Sequence, residues 1–347
     1  MPLPWSREFT GRIDHHWFDA PALIGNPLGD PTRRPLWVWV PSGYDEDATD
    51  GRRWPVVYVL QSFAGQLDVW GNRKAFQPTY PELVDALEPA CLVVFVDAWT
   101  SRGGSQFLDS SAIGRYRSYL VDDVVGFVDV HYATLSGPAH RGVSGHSSGG
   151  YGAVVSCLAR PDVFGAFASH AGDALFEACY QPGFLETARV IGRSYGGSWD
   201  AFWEDIVARG LLTRADDFSP LNDWAMAACY SSDPDGTVHL PFDPVTGQTI
   251  PDVWKRWLAH DPVRIAATDA GAAALRSLVG MWIDAGLSDD VHLDLGAAAL
   301  RDAVLAAGVA PDRLHFELFP GRHGGIEHRY PLALAWLAER LAPPPAQ

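Results

Sequence analysis

Short apolar runs recur along the chain, each followed by a longer mixed segment. Leu36–Val40 (LWVWV), Val56–Leu60 (VVYVL) and Cys91–Asp97 (CLVVFVD) open the series, and Arg141–Ser144, Phe164–His170, Ser277–Asp284 and Leu314–Phe319 continue it. The middle runs are apolar throughout rather than alternating, which predicts strands covered on both faces. Between them, Tyr119–Tyr132 and Gly296–Gly308 repeat apolar residues three and four apart, the second ending in a glycine stop. Tyr330–Ala342 predicts a closing amphipathic helix with Pro331 near its start. Strand–helix alternation of this length predicts an α/β fold, a mostly parallel central sheet with helices on both faces.

One region breaks the rhythm. From about Ala174 to Thr268 no strand–helix alternation is legible, and five tryptophans fall there: Trp199, Trp203, Trp224, Trp254 and Trp257. His239–Ile250 reads as a small hairpin turning at Thr246–Gly247. The pattern predicts a core of residues 1–173 and 269–347 interrupted by a cap-like insertion, 174–268. Such an excursion runs over the carboxyl ends of the strands, where ligands of open α/β sheets bind. The tryptophans can hold the insertion together, meet a ligand, or both; Trp254 is the candidate substrate contact among them.

Composition narrows the function. Of 347 residues, 47% are hydrophobic and 20% charged, ordinary for a globular chain with a sizeable core. A net charge of −16 disfavours nucleic acid and anionic membranes as partners. The first residues lack a basic head followed by an apolar core, and no run of 18 apolar residues exists, so a cytoplasmic setting is expected. The four cysteines form no CxxC pair and are expected as free thiols. His15 and His16 have no partners at metal-ligand spacing, so neither a metal nor another cofactor is expected. The expected partner is a small molecule; the oligomeric state is open, a homodimer being one option.

The most informative stretch is Arg141–Val155, RGVSGHSSGGYGAVV. Arg141–Ser144 ends a strand and Tyr151–Arg160 is helix-like, which places Ser147 in the turn between them. Gly145, Gly149 and Gly150 remove side chains that would crowd such a turn, and the following helix aims its N-terminus at the site. A phosphate loop fails, because neither Gly-Lys-Ser/Thr nor GxGxxG is present. Ser147 is the candidate nucleophile. A serine needs a base, and the base an orienting carboxylate, here in the order Ser, Asp or Glu, His. Asp289 and Asp290 follow Gly286 at one strand end, and His323 follows Gly321 at the next, with His328 in reserve. Asp289 is favoured over Asp290, and Asp284 falls within its strand. The oxyanion donors are expected to be the backbone N–H groups of Ser148 and Phe63. His146 and Trp70 are expected to flank the acyl or alcohol pocket, or to be packing residues.

These residues also carry a resemblance. The strings GNPLGDPTRRPLWVWVPSGYD, WPVVYVLQSFAG, RGVSGHSSGGYGAV, RPDVFGAFASHAG and FPGRHGG resemble the Putative esterase family, which includes esterase D (S-formylglutathione hydrolase), enterochelin esterases, feruloyl esterases and mycobacterial mycolyltransferases. The likeness covers about residues 20–173 and 275–340. It implies an α/β-hydrolase fold with Ser147 as nucleophile, Asp289 as acid and His323 as base. The chain departs from the pattern at Gln61–Ser62, where His-Gly or Asp-Gly is usual, and in the insertion.

The expected function is therefore a serine hydrolase cleaving a carboxylic ester through an acyl-enzyme. Its rivals are an acyltransferase using the same three residues and an inactive binding protein on the same fold. The first is separated by products formed with a competing alcohol, the second by absence of labelling with a fluorophosphonate probe.

Overall fold

The computed structural model describes residues 7–210 and 212–342. The first six residues, half of the N-terminal stretch read as lacking a leader, and the proline-rich tail lie outside them. The strands are β1 (Arg12–Asp19), β2 (Arg33–Val40), β3 (Val56–Leu60), β4 (Leu92–Val96), β5 (Arg141–His146), β6 (Ala166–His170), β7 (Gly280–Gly286) and β8 (Leu314–Phe319). They form one eight-stranded sheet in the order β1-β2-β4-β3-β5-β6-β7-β8. From β4 to β8 every neighbouring pair is parallel, while β1 and β2 close one edge antiparallel.

The expected α/β architecture is thus present. Every residue of β3, β4 and β6 is buried, which is why these runs carry no polar alternation. Helices α1 (Tyr80–Leu87) and α2 (Val125–His131) belong to the crossovers after β3 and β4. Helix α3 (Ser148–Ala159) follows β5 directly and buries every residue but its last. The run 119–132 is not one regular helix: a π-helical stretch over Tyr119–Val124 precedes α2.

Between β6 and β7 the chain is helical, with α4 (Gln181–Tyr195), α5 (Trp199–Arg209), α6 (Phe218–Tyr230), α7 (Pro251–Leu258) and α8 (Asp269–Ser277). The expected hairpin shrinks to a single bridge, Phe242–Thr249, beside Gly247 at a φ of 73°. The strand expected from Ser277 begins at Gly280, because α8 runs to Ser277. A second apolar core lies here, built on Phe184, Tyr230, Phe242, Trp254 and Trp257. Helices α9 (Leu293–Ala306) and α10 (Tyr330–Leu341) complete the fold.

Asp284 on β7 lies inside this framework, as expected, and is fully buried. It pairs with His170 Nδ1 at 2.7 Å across the β6–β7 register and accepts from Trp282 Nε1 at 2.9 Å and Arg329 Nε at 3.0 Å. Burial pushes its carboxyl up, but His170, Trp282 and Arg329 outweigh that and hold it below the usual range. Asp284→Ala leaves three buried partners without their carboxylate and should destabilise the chain by about 3–5 kcal/mol, read from the urea unfolding midpoint.

Candidate active site

The turn after β5 is the starting point. Ser147 has φ 57° and ψ −124°, a conformation that residues with side chains avoid and that typically costs about 1–3 kcal/mol. The turn is held by Ser147 N–H donating to the His170 carbonyl (3.0 Å) and Tyr151 N–H donating to the Ser147 carbonyl (2.9 Å). It closes tightly: a Cβ on Gly145 would stand 2.4 Å from the Gly149 carbonyl carbon, and one on Gly149 would stand 2.5 Å from the Leu60 carbonyl oxygen. Only glycine fits at both positions.

Two strand ends supply the partners. Beyond β7 and β8 the loops remain zipped together, Leu287 N–H to the Phe319 carbonyl at 2.8 Å and Ser288 N–H to the Gly321 carbonyl at 2.9 Å. This brings Asp289 against His323. His323 Nδ1 lies 2.9 Å from Asp289 Oδ2, and His323 Nε2 lies 3.1 Å from Ser147 Oγ. The other Asp289 oxygen accepts from the N–H groups of Val291 (2.9 Å) and Leu293 (3.3 Å), at the start of α9. With Nδ1–H donating to the carboxylate, Nε2 is left to accept the Ser147 hydroxyl proton.

The charges are tuned in the same sense. Burial pushes the Asp289 carboxyl up, but hydrogen bonding and charge from His323 and the two N–H donors outweigh it, leaving the group below its usual range. Burial likewise lowers the His323 imidazole, but Asp289, with help from Asp173 and Asp290, outweighs it and raises the ring above 6.5. The alternatives lie elsewhere. Asp290 is exposed and pairs with Arg322 at 3.2 Å. The His328 ring stands edge-on to Phe319.

Ser148 opens α3 directly after Ser147, and as the first residue of its helix its N–H has no intrahelical acceptor; Phe63 lies in the loop after β3. The Gln61 amide, oriented to satisfy both ends, donates to the Val96 carbonyl and accepts from the N–H groups of Ala98 and Trp99, pinning the loop after β3 without the usual glycine. Ser62 Oγ lies 3.0 Å from both His146 Nδ1 and the His146 carbonyl. His146 Nε2 lies 2.9 Å from the His323 carbonyl and so carries the proton, making Nδ1 the acceptor. Burial, with the neighbouring charge of His323, pushes His146 down to about 3, so this ring is neutral. His146 therefore ties the loop of Phe63 to the loop of His323, more than the flanking position expected of it. Ser62 was missed because its role comes from a partner 84 residues away.

Trp70 packs against Tyr80, Phe95 and Tyr330, and with His146 it lines a cleft of about 430 Å³. Trp254 is 8% exposed and packs on Phe184 and Trp257, so the structure places it in the second core rather than among the Ser147 group. His15 and His16 are strand residues of β1, and His16 Nε2 lies 2.6 Å from the Tyr132 hydroxyl. The described residues hold no cluster suited to a metal ion, and the four cysteines are free. No described helix is long and apolar enough to cross a membrane.

Asp173, just beyond β6, carries no motif in the sequence. It is buried and accepts from Gln106 Nε2 (2.9 Å) and the Tyr180 hydroxyl (2.8 Å). Its position after a strand end was the available signal.

The sequence profile of the family described as Putative esterase matches residues 31–328. The chain belongs to this family. Membership makes it a carboxylic ester hydrolase, and its fold agrees. A ferulic acid esterase superposes with a TM-score of 0.60 at 15% identity, covering 96% of this chain and all of its own. The fluorophosphonate-binding serine hydrolase FphF of Staphylococcus aureus gives 0.59 at 15%, covering 94% of this chain and 98% of that one. An S-formylglutathione hydrolase from Agrobacterium tumefaciens gives 0.59 at 15%, covering 98% and 99%. No curated protein matches the chain at the sequence level. In this esterase, Gly145→Ala should displace the Ser147 turn and cut ester turnover by about 10²-fold, with the far-ultraviolet circular dichroism unchanged.

Proposed function

We propose that this esterase works through an acyl-enzyme on Ser147. The observation that carries the proposal is the unbroken line from Asp289 Oδ2 through His323 to Ser147 Oγ, at 2.9 and 3.1 Å, on a strained turn. His323 Nε2 takes the hydroxyl proton as Oγ bonds the ester carbonyl carbon. The oxyanion sits against the N–H groups of Ser148 and Phe63. As the carbon–oxygen bond to the alcohol breaks, His323 gives its proton to the leaving oxygen. Water, deprotonated by His323, then releases the acid and restores Ser147. Asp289 holds the ring in its tautomer and stabilises the imidazolium.

The helical insertion walls the site. Arg102, from the loop after β4, lies 4.0 Å from the Trp203 ring and 5.6 Å from the Trp224 ring, a cation–π clasp between core and insertion. The Phe218 ring meets Phe63 edge-on at 5.8 Å. An apolar or aromatic substrate part suits these walls, and ester classes named for structural relatives, such as feruloyl esters, are the first to assay.

Ser147→Ala should abolish both p-nitrophenyl acetate turnover and fluorophosphonate labelling. The base must be neutral to act, and its pKa lies above 6.5, so kcat/KM should rise with pH through a limb above pH 6.5. Asp289→Asn removes the partner that raises His323. It should move that limb down and lower kcat by about 10⁴-fold, measured across a pH–rate profile.

A further inference from the structure

The cleft of about 430 Å³ beside His146 has no part in the chemistry so far, and its volume is that of a small-molecule site. Its lining includes Ser62, Phe63 and His146. Phe63 supplies an oxyanion donor in the proposed mechanism, and His146 immediately precedes Ser147. The His146 ring stands 4.6 Å from the His323 ring. One wall is the chain just after His323, from Gly325 to Tyr330.

That position has a direction built into it. Two groups leave the ester carbonyl carbon, the acyl chain and the alcohol. The alcohol oxygen takes its proton from His323, so the alcohol must lie on the His323 side. The acyl chain leaves on the other. The cleft's lining includes His146 but neither Ser147 nor His323, so a substituent on the alcohol oxygen would have to extend past His146 to enter it.

We propose that this cleft binds the alcohol part of the substrate, and that it takes a neutral arylalkyl alcohol bearing an oxygen acceptor. The proposal rests on the reading of Ser147 and His323 given above. Three observations set the class. Trp70, Tyr80 and Tyr330 form one tilted and edge-to-face cluster, with centroids 5.2 to 6.4 Å apart, an aromatic wall suited to a flat ring. Trp70 Nε1 is buried and has no hydrogen-bond acceptor among the described residues. An indole N–H can only donate, so a ligand oxygen would supply the complement it lacks once a small shift of the ring opens that atom to the cleft. Lys74 and Glu327, both lining residues, pair at 3.3 Å across the two sides of the cleft. Their charges cancel, leaving no reason to select an ionic ligand.

The test holds the acyl group constant. Methyl, benzyl and 4-methoxybenzyl acetates have alcohols of similar acidity, so differences in kcat/KM report binding of the alcohol rather than leaving-group chemistry. The wild type should prefer benzyl over methyl acetate by at least about tenfold. Val69→Trp, at a lining residue 47% exposed and therefore tolerant of size, and Leu83→Trp should each cut the benzyl-to-methyl ratio by about tenfold. Both should leave the ratio of methyl phenylacetate to methyl acetate within about twofold. Trp70→Phe should remove the advantage of the 4-methoxy ester over the benzyl ester. No benzyl preference, an unchanged ratio in both tryptophan variants, or a change confined to the acyl series would overturn the proposal. Fluorophosphonate labelling of Ser147 separates the two levels: labelling with unchanged ratios removes only the cleft assignment, whereas no labelling removes the reading of Ser147 beneath it.

Discussion

The backbone of one residue sets the terms for the rest. Ser147 is held at φ 57° between a buried strand and a buried helix, and its hydroxyl meets His323 because the chain cannot relax there. Leu60, Gly145 and Gly149 approach so closely that no side chain could stand between them. The strain is balanced by the packing of the parallel sheet, whose central strands are wholly buried. A loop on the surface could not hold it.

The same sheet solves the problem of assembly. Ser147, Asp289 and His323 are far apart in sequence, yet each follows the carboxyl end of a strand, and β6 separates the first from the other two only by one strand width. The zipped ends of β7 and β8 set Asp289 against His323, and His146 ties the His323 backbone to the loop after β3. One neutral imidazole thereby couples the loop of His323 to the loop of Ser62 and Phe63. Such preorganisation matters because interactions formed before the reaction need no reordering during it.

Much of this was legible in the sequence. The apolar runs gave the strands because burial on both faces removes alternation, and the glycines around Ser147 gave the turn because only a crowded turn needs them. Asp289 and His323 followed from their order and from strand ends. What was not legible depends on partners remote in the chain: Ser62 on His146, Gln106 and Tyr180 on Asp173, His170 and Arg329 on Asp284. The insertion's helices were hard to read because no strand alternates with them between β6 and β7, and Trp254 packs with the other aromatic residues there into a second core. The helix expected over Tyr119–Tyr132 carries the right apolar spacing, but periodicity alone does not distinguish a π-helical stretch from a regular turn.

The central claim is that a covalent bond forms at one hydroxyl. The most direct measurement is mass spectrometry of the protein quenched in acid during turnover of p-nitrophenyl acetate, followed by peptide mapping. An acetyl group on the peptide containing Ser147, present during turnover and gone once substrate is exhausted, is the predicted result. Turnover with no acyl adduct, or with the adduct on a different residue, would contradict the account.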